Sequence, residues 1–521
     1  MKYSNHIIMS AMALGMAVGF SGCTGDYEKY NQDPYAVTKE QMQRDGYALS
    51  SALLNLQGWV IPTDVNANQF TECLLGGSYS GYLSDSNSGF AGKNFAQYSP
   101  ENGWSRVLFN DFIPKLFIYT NELYKVTENE VPRAVADIVK VAGIHRVTDT
   151  YGPIPYSKVG QNGEITAAYD TQEEVYTLMF KQLTDAVDVL TKNRTADFSP
   201  NADKVYAGKV ENWIKFANSL KLRLALRISK VDAAKGQKMA EEAVKHEVGV
   251  MTTNADNAWM AVSGKNPFNV VMYEYNGGDS RVGADIIAYM NSYKDPRREA
   301  MFSPSTFATP TVENGFHGLR SGIAIPDGAT AHAYSNYKVA SNDKILWMNA
   351  AEVAFLRAEG ALLGWDMGGT PQSFYEQGVR LSFEQWSVSG VDTYLADNTS
   401  TPKPYVDPME QNSYLGDVST ATVAWNDSDA KAMKLEKIIT QKWLANFPLG
   451  LEAWADYRRT GYPKLMPVVV NNSGGVVDIK RGPRRLAYPQ EERTNNSANY
   501  NAAVGMLGGA DNMATDLWWA K

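Results

Sequence analysis

The sequence predicts a mostly α-helical body of the tetratricopeptide kind, in which successive helix pairs are interrupted by two long loop-rich stretches. Three observations carry this expectation. Apolar residues recur at helical spacing in segment after segment, from about residue 104 to 246 and again from 344 to 458. The connections between these segments are short. Residues 66–103 and 250–342 lose the periodicity and turn instead to Gly, Ser, Asn, Pro and Tyr. No clean period of about 34 residues with the usual Trp-Leu-Gly-Tyr pattern is present, so the repeat reading rests on the alternation of helices alone.

The chain opens with Lys2 and an uncharged run from Ile7 to Phe20. That is the plan of a secretory signal, and its length is short of the roughly 20 residues that span a bilayer as a helix. The run ends Gly19-Phe20-Ser21-Gly22-Cys23, small-small-Cys rather than Ala-x-Ala. This resembles a bacterial lipobox, with Phe20 standing where the pattern prefers Leu. The expected arrangement is therefore a signal peptide over 1–22, lipid on Cys23 and a polar, turn-rich tether over 23–37, followed by the body over 38–521. Asp26 and Glu28 on the tether are read as an aid to sorting to the outer face.

Thr38, with Gln41 three residues on, predicts a helix to about Val60, closed by Pro62. A short helical piece over Asn68–Leu75 precedes a Gly/Ser loop that carries Tyr79, Tyr82, Phe90 and Phe95. Helical spacing returns over Trp104–Lys125 and over Pro132–Thr150, with Pro132 suited to a first turn. Asp149-Thr-Tyr-Gly-Pro-Ile-Pro-Tyr156 reads as a rigid turn. Thr171 and Glu174 form a capping-box pattern opening a helix to about Leu190. Over Lys209–Ser229, Trp213, Phe216, Ala217, Leu220, Leu224 and Ile228 share one stripe, with Lys215, Lys221, Arg223 and Arg227 off it. Helices are further expected over Ala233–His246, Ala284–Tyr293, Lys344–Leu363, Pro371–Trp386, Lys431–Asn446 and Leu449–Arg458. Glu352 and Glu359 lie on an apolar face, where a carboxylate needs a partner, and Arg458, Arg459, Arg484 and Arg485 are the candidate cations.

Composition narrows the function. A formal charge of −8 with no basic block argues against nucleic acid as the main partner. If Cys23 carries lipid, Cys73 stands alone and no internal disulfide can form. There is no His-Glu-x-x-His, no P-loop and no Gly-x-Ser-x-Gly elbow, since Gly77-Ser-Tyr-Ser-Gly81 puts Tyr79 where a nucleophile would stand. Asp85-x-Asn87-x-Gly89 lacks the later Glu of a calcium loop. No cofactor or metal set is expected. A glycosidase built on distant carboxylates leaves no local signature and stays open as an alternative.

Several stretches, in order along the chain, resemble the SusD/RagB-like outer-membrane nutrient-binding lipoproteins. They are Asp149–Ser157, Trp213–Arg227, Asp295-Pro-Arg297, Ala350–Glu359, Gln441-Lys-Trp-Leu444, Glu452–Pro463, Pro483–Pro489 and the closing Trp518-Trp519. The resemblance implies a single domain whose tetratricopeptide-like helix pairs form a scaffold, with the irregular insertions forming the ligand-facing side. It implies a non-catalytic surface lipoprotein that captures oligosaccharide and delivers it to a SusC-like TonB-dependent transporter in the outer membrane. A binder of peptide or another nutrient in the same role is the alternative. The matched motifs carry no ligand residue, so the site is argued from chemistry. A sugar presents a C–H face and a rim of hydroxyls, which calls for exposed aromatic planes flanked by polar groups. The candidates are Tyr79, Tyr82, Asp85 and Asn87 from the first loop-rich stretch, and Tyr273, Tyr275 and Arg281 from the second.

Overall fold

Helix α3, Glu130–Tyr151, runs through the interior, with every residue from Ile138 to Tyr151 buried. It starts where the Asn129 side chain accepts the Val131 N–H at 3.0 Å and stops at Gly152, whose φ of +92° ends the helical geometry. The computed structural model describes residues 46–160 and 166–521, and Leu49–Lys521 form one unit. The expected signal, Cys23, the tether and the start of the Thr38 helix lie outside the described residues. The described part of that helix, α1, is Tyr47–Gln57.

Around α3 the helices pack as neighbouring pairs. Phe112–Val126 (α2) lies against α3, which packs on Gln172–Lys192 (α4). Helix α4 packs on Val210–Arg227 (α5), and α5 on Ala233–Lys245 (α6). In the second half, after Ala284–Ser292 (α7), Ala350–Leu363 (α8) pairs with Pro371–Gln385 (α9) and with Lys431–Ala445 (α10), while α5 touches α8 and joins the two groups. Gly450–Thr460 (α11) follows. The expected capping box of α4 is present, with the Thr171 hydroxyl accepting the Glu174 N–H at 3.2 Å and the Glu174 carboxylate accepting the Thr171 N–H at 2.9 Å. The fold is mostly helical, and among the described residues the strands form two-stranded ribbons.

Two expectations are corrected. Residues Ile345–Met348 are not the start of a helix but a strand, paired antiparallel with Ala258–Met260. Helix α8 begins only after Asn349, which caps it by accepting the Glu352 N–H at 2.7 Å. Ile-Leu-Trp-Met is buried on both faces, and so short an apolar run has the same pattern in a strand as in a helix. The second correction concerns α5, whose Lys221, Arg223 and Arg227 are buried rather than solvated. Facing helices supply their counter-charges. Arg223 donates to both oxygens of Glu352 at 2.7 Å each, and Arg227 bonds Glu452. Lys442 lies 2.7 Å from Asp456 and 3.2 Å from Glu452.

The carboxylates on α8 are accordingly ion-paired. Glu359 takes Arg459, one of its expected partners, whereas Glu352 takes Arg223. Arg484 and Arg485 turn instead to Asp516 and Asp511, and Arg458 donates to the Arg484 carbonyl at 3.0 Å. Such pairing is what the interior demands, because an unpaired buried charge costs several kcal/mol (~3–5).

The two loop-rich stretches meet. Leu83–Asp85 pairs antiparallel with Ser280–Val282, setting Ser84 opposite Arg281 and Asp85 opposite Ser280. Much of the first stretch is ordered interior. Its helical piece is a short α-turn, Val65–Asn68, continued by a π-helix over Gln69–Gly77.

Candidate functional site

The π-helix and the start of α11 cross at a pair of glycines. A Cβ on Gly450 would stand 2.3 Å from the Gly76 carbonyl carbon, and one on Gly76 2.9 Å from the Leu451 nitrogen. Only two bare backbones fit at that separation. The crossing brings Tyr79, just past the π-helix, to 5.0 Å from Trp454, centroid to centroid. Tyr98 joins them, 6.3 Å from Tyr79. Its φ of +60° is a left-handed conformation that bulky side chains rarely adopt, and such backbone strain clusters at functional sites.

Over this aromatic floor opens a cleft of about 320 Å³, at the lower end of the range for ligand sites. Much of its remaining lining comes from the segment after α11, from Lys464–Val468 and from Ile479, Lys480, Gly482 and Pro483. That segment is pinned along its length. The Val469 and Val470 N–H groups both donate to the Gly322 carbonyl at 2.9 Å, and the Asn472 N–H to the Gln97 carbonyl at 2.8 Å. Trp454 Nε1 donates to the Pro483 carbonyl at 3.1 Å and the Tyr457 hydroxyl to the Lys480 carbonyl at 3.1 Å. Tyr414 and Tyr457 are half-buried lining rings. A smaller recess, lined by Tyr289, Lys403 and Tyr405, continues the cleft past Tyr414, Asp417 and Lys464.

Asp285 lines both compartments and accepts the Met466 N–H at 2.7 Å. Burial pushes its carboxyl up to about 7, against the opposing pull of that N–H and of Arg320. The cleft thus offers half-exposed aromatic rings beside hydroxyl, ammonium and carboxyl groups, the mixture that holds a ring with one apolar face and a polar rim. Another cavity, of about 20 Å³, sits inside the ion-pair cluster beside His145, Arg223 and Glu452. It has room for about one water and none for a sugar. Burial, with Arg223 adding to it, holds His145 down at about 3 and therefore neutral.

Of the seven sequence-proposed ligand residues, only Tyr79 reaches the cleft, and it does so as floor, 6% exposed. Three are corrected, because a platform must be exposed and these are not. Tyr82 is fully buried, stacked 5.5 Å from Trp443 with its hydroxyl donated to the Trp443 carbonyl. Asp85 is 2% exposed and neither carboxylate oxygen has a hydrogen bond of ordinary geometry. Burial raises it to about 7, with the nearby Ser78 hydroxyl opposing and Asp279 adding to the rise. Arg281 is buried and donates to the carbonyls of Ser280 at 2.9 Å, Gly277 at 3.1 Å and Met272 at 3.2 Å, which makes it a clasp for its own loop.

Asn87 closes a turn, accepting the Gly89 N–H at 2.9 Å and donating to Asp279 at 2.8 Å. Tyr273 and Tyr275 lie on a separate surface, the first 43% exposed and the second bonded to Asn66 at 3.2 Å. Sequence reasoning missed Tyr98, Tyr414, Trp454, Tyr457, Lys464 and Lys480. The available signal was a third irregular stretch, Pro463-Lys-Leu-Met-Pro-Val-Val-Val-Asn-Asn-Ser-Gly-Gly475, directly after a helix that ends in aromatic and charged residues.

The family model for the SusD and RagB outer membrane lipoproteins matches residues 29–520. Solved structures agree. A SusD homologue from Bacteroides uniformis is 51% identical, with a TM-score of 0.87 over 91% of this chain and 99% of that one. One from Bacteroides thetaiotaomicron is 41% identical, with a TM-score of 0.86 over 91% and 99%. A chitin-binding SusD homologue from Flavobacterium johnsoniae is 39% identical, with a TM-score of 0.86 over 91% and 98%. No curated protein matches. The helix-pair scaffold, the motifs along it and these relatives lead to one assignment: the chain belongs to the SusD-like family of outer membrane lipoproteins.

Proposed function

We propose that this chain is a non-catalytic capture protein for oligosaccharides. Cleavage before Cys23 and lipid on that residue hold it at the cell surface. The 23–37 segment serves as a tether, and bound glycan passes to a SusC-like TonB-dependent transporter. The observation that carries the reading is the aromatic-floored cleft, where Tyr414 and Tyr457 present ring surface beside polar groups. A relative 39% identical binds chitin, which supports a glycan as cargo.

Calorimetry across a panel of oligosaccharides is expected to show binding without release of product. Loss of binding in a Tyr457→Ala variant would place the ligand in the cleft. Silence across the whole panel would favour the peptide or other-nutrient reading. One observation favours a hydrolase: Asp285, raised to about 7 by burial, lines the same cleft as a second carboxyl, Asp417, and two carboxyls are what glycoside hydrolysis uses. New reducing ends from a bound glycan, abolished by Asp285→Asn, would establish that reading instead. For the transporter partner, recovery of a large β-barrel protein with the lipidated chain from detergent-solubilised outer membranes is the expected result.

A further inference from the structure

We propose that the ligand of the cleft is an anionic oligosaccharide, its carboxylate or sulfate groups met by Lys464 and Lys480. This rests on the reading of the cleft as a glycan site and narrows it. The chain as a whole is acidic, at −8, yet three lysines line this one concavity: Lys464 and Lys480 in the cleft and Lys403 in the adjoining recess. Some lysines elsewhere on the surface are tied to carboxylates, as Lys181 is to Asp185, Lys209 to Asp197 and Lys265 to Glu274. Among the described residues, Lys403, Lys464 and Lys480 take part in no ion pair.

The neighbouring carboxylates are engaged otherwise. Asp478 accepts the Lys480 and Arg481 N–H groups at 2.8 and 2.9 Å, and Asp516 holds Arg481 and Arg484. Of the two carboxyls in the cleft, Asp285 is buried against the Met466 N–H, which leaves Asp417 as the exposed acid of its lining.

The lysines are also placed. The Lys480 carbonyl accepts the Tyr457 hydroxyl and the Lys464 carbonyl accepts the Tyr289 hydroxyl, each at 3.1 Å. Their backbones are therefore fixed to aromatic residues of the site while both lysines remain exposed residues. A cation without a partner on the wall of a concavity, where the low-dielectric protein focuses its field, attracts anions and raises their local concentration. A neutral oligosaccharide gains hydrogen bonds to the ammonium groups but no charge pairing. An acidic one gains a charge-assisted contact for every group it brings to a lysine.

Calorimetric titration of the intact protein with three ligands of matched length tests this: an oligogalacturonide carrying carboxylates, a carrageenan oligosaccharide carrying sulfates, and an uncharged chito-oligosaccharide. At low ionic strength one of the acidic ligands is expected to bind at least about tenfold more tightly than the neutral one, and which acid prevails identifies the anionic group. The advantage is expected to shrink with added salt, and to shrink in the Lys464→Gln/Lys480→Gln double variant. Neutral ligand binding as tightly as both acids, or a preference for acid that survives the double variant, would overturn the proposal while leaving the glycan reading intact. If no oligosaccharide binds, the glycan reading fails; if Tyr457→Ala leaves every affinity unchanged, the cleft is not the glycan site; this inference fails with either.

Discussion

Tyr82 and Tyr457 show how little a residue type says without its surroundings. Tyr82, from the Gly/Ser stretch, is sealed inside against Trp443 and Phe447. Tyr457, on a helix, faces the cleft. Tyr457→Ala is expected to weaken oligosaccharide binding about tenfold, ~1.4 kcal/mol. Tyr82→Phe should leave affinity unchanged and cost about 1 kcal/mol of stability, the net worth of its hydrogen bond; calorimetry and denaturant unfolding separate the two. Aromatic composition was legible in the sequence, but burial was not, since it depends on which segment crosses overhead.

Asp85 adds a pH dependence. Its carboxyl is raised in the folded state to about 7, so between about pH 4 and 7 the folded protein holds a proton the unfolded chain has released. Its contribution is therefore favourable below the ordinary carboxylate range and is lost as pH rises through about 7. Asp85→Asn should flatten the fall in melting temperature between pH 5 and 8. An unchanged slope would mean the carboxyl is not held neutral.

At the scale of elements, the crossing of the π-helix and α11 decides where the site lies. An alanine in a helix is normally about 1 kcal/mol better than glycine, yet Gly450→Ala sets a Cβ 2.3 Å from the Gly76 carbonyl carbon. Destabilisation of about 1–3 kcal/mol is expected, together with weaker ligand binding as Trp454 shifts from Tyr79. A gain in melting temperature would show that the two backbones are not pressed together. Helix positions were legible because apolar spacing and caps are local signals, as at Thr171; the cap at Asn349 went unread, and the start of α8 was misplaced with it. The outward face assigned to Arg223 and Arg227 failed because periodicity counts charge as solvent-seeking, whereas Glu352 and Glu452 meet those charges inside.

At the scale of the molecule, the ion-pair cluster between α5, α8, α10 and α11 joins the two groups of helices. Arg223→Met would leave Glu352 with only Lys442, at 3.6 Å. A loss of about 3–5 kcal/mol is expected in chemical denaturation, much of it recovered when Glu352→Leu is added. The fold as a whole was legible from motifs that lie mostly on these helices. The cleft was not, because its lining comes from segments around residues 79–98, 285, 414–417 and 454–483 that only the folded chain brings together. The described residues contain no helix long and apolar enough to cross a membrane. In the proposed reading lipid on Cys23 is the anchor, and Cys23→Ala is expected to move the protein out of the membrane fraction.

The most direct measurement is a crystal structure of the protein soaked with the tightest-binding oligosaccharide. Sugar rings are expected in the cleft against Tyr414 and Tyr457, above Tyr79 and Trp454, alongside the Lys464–Val468 and Ile479–Pro483 lining. Density for the glycan on the Tyr273 and Tyr275 surface, with the cleft empty, would contradict the account.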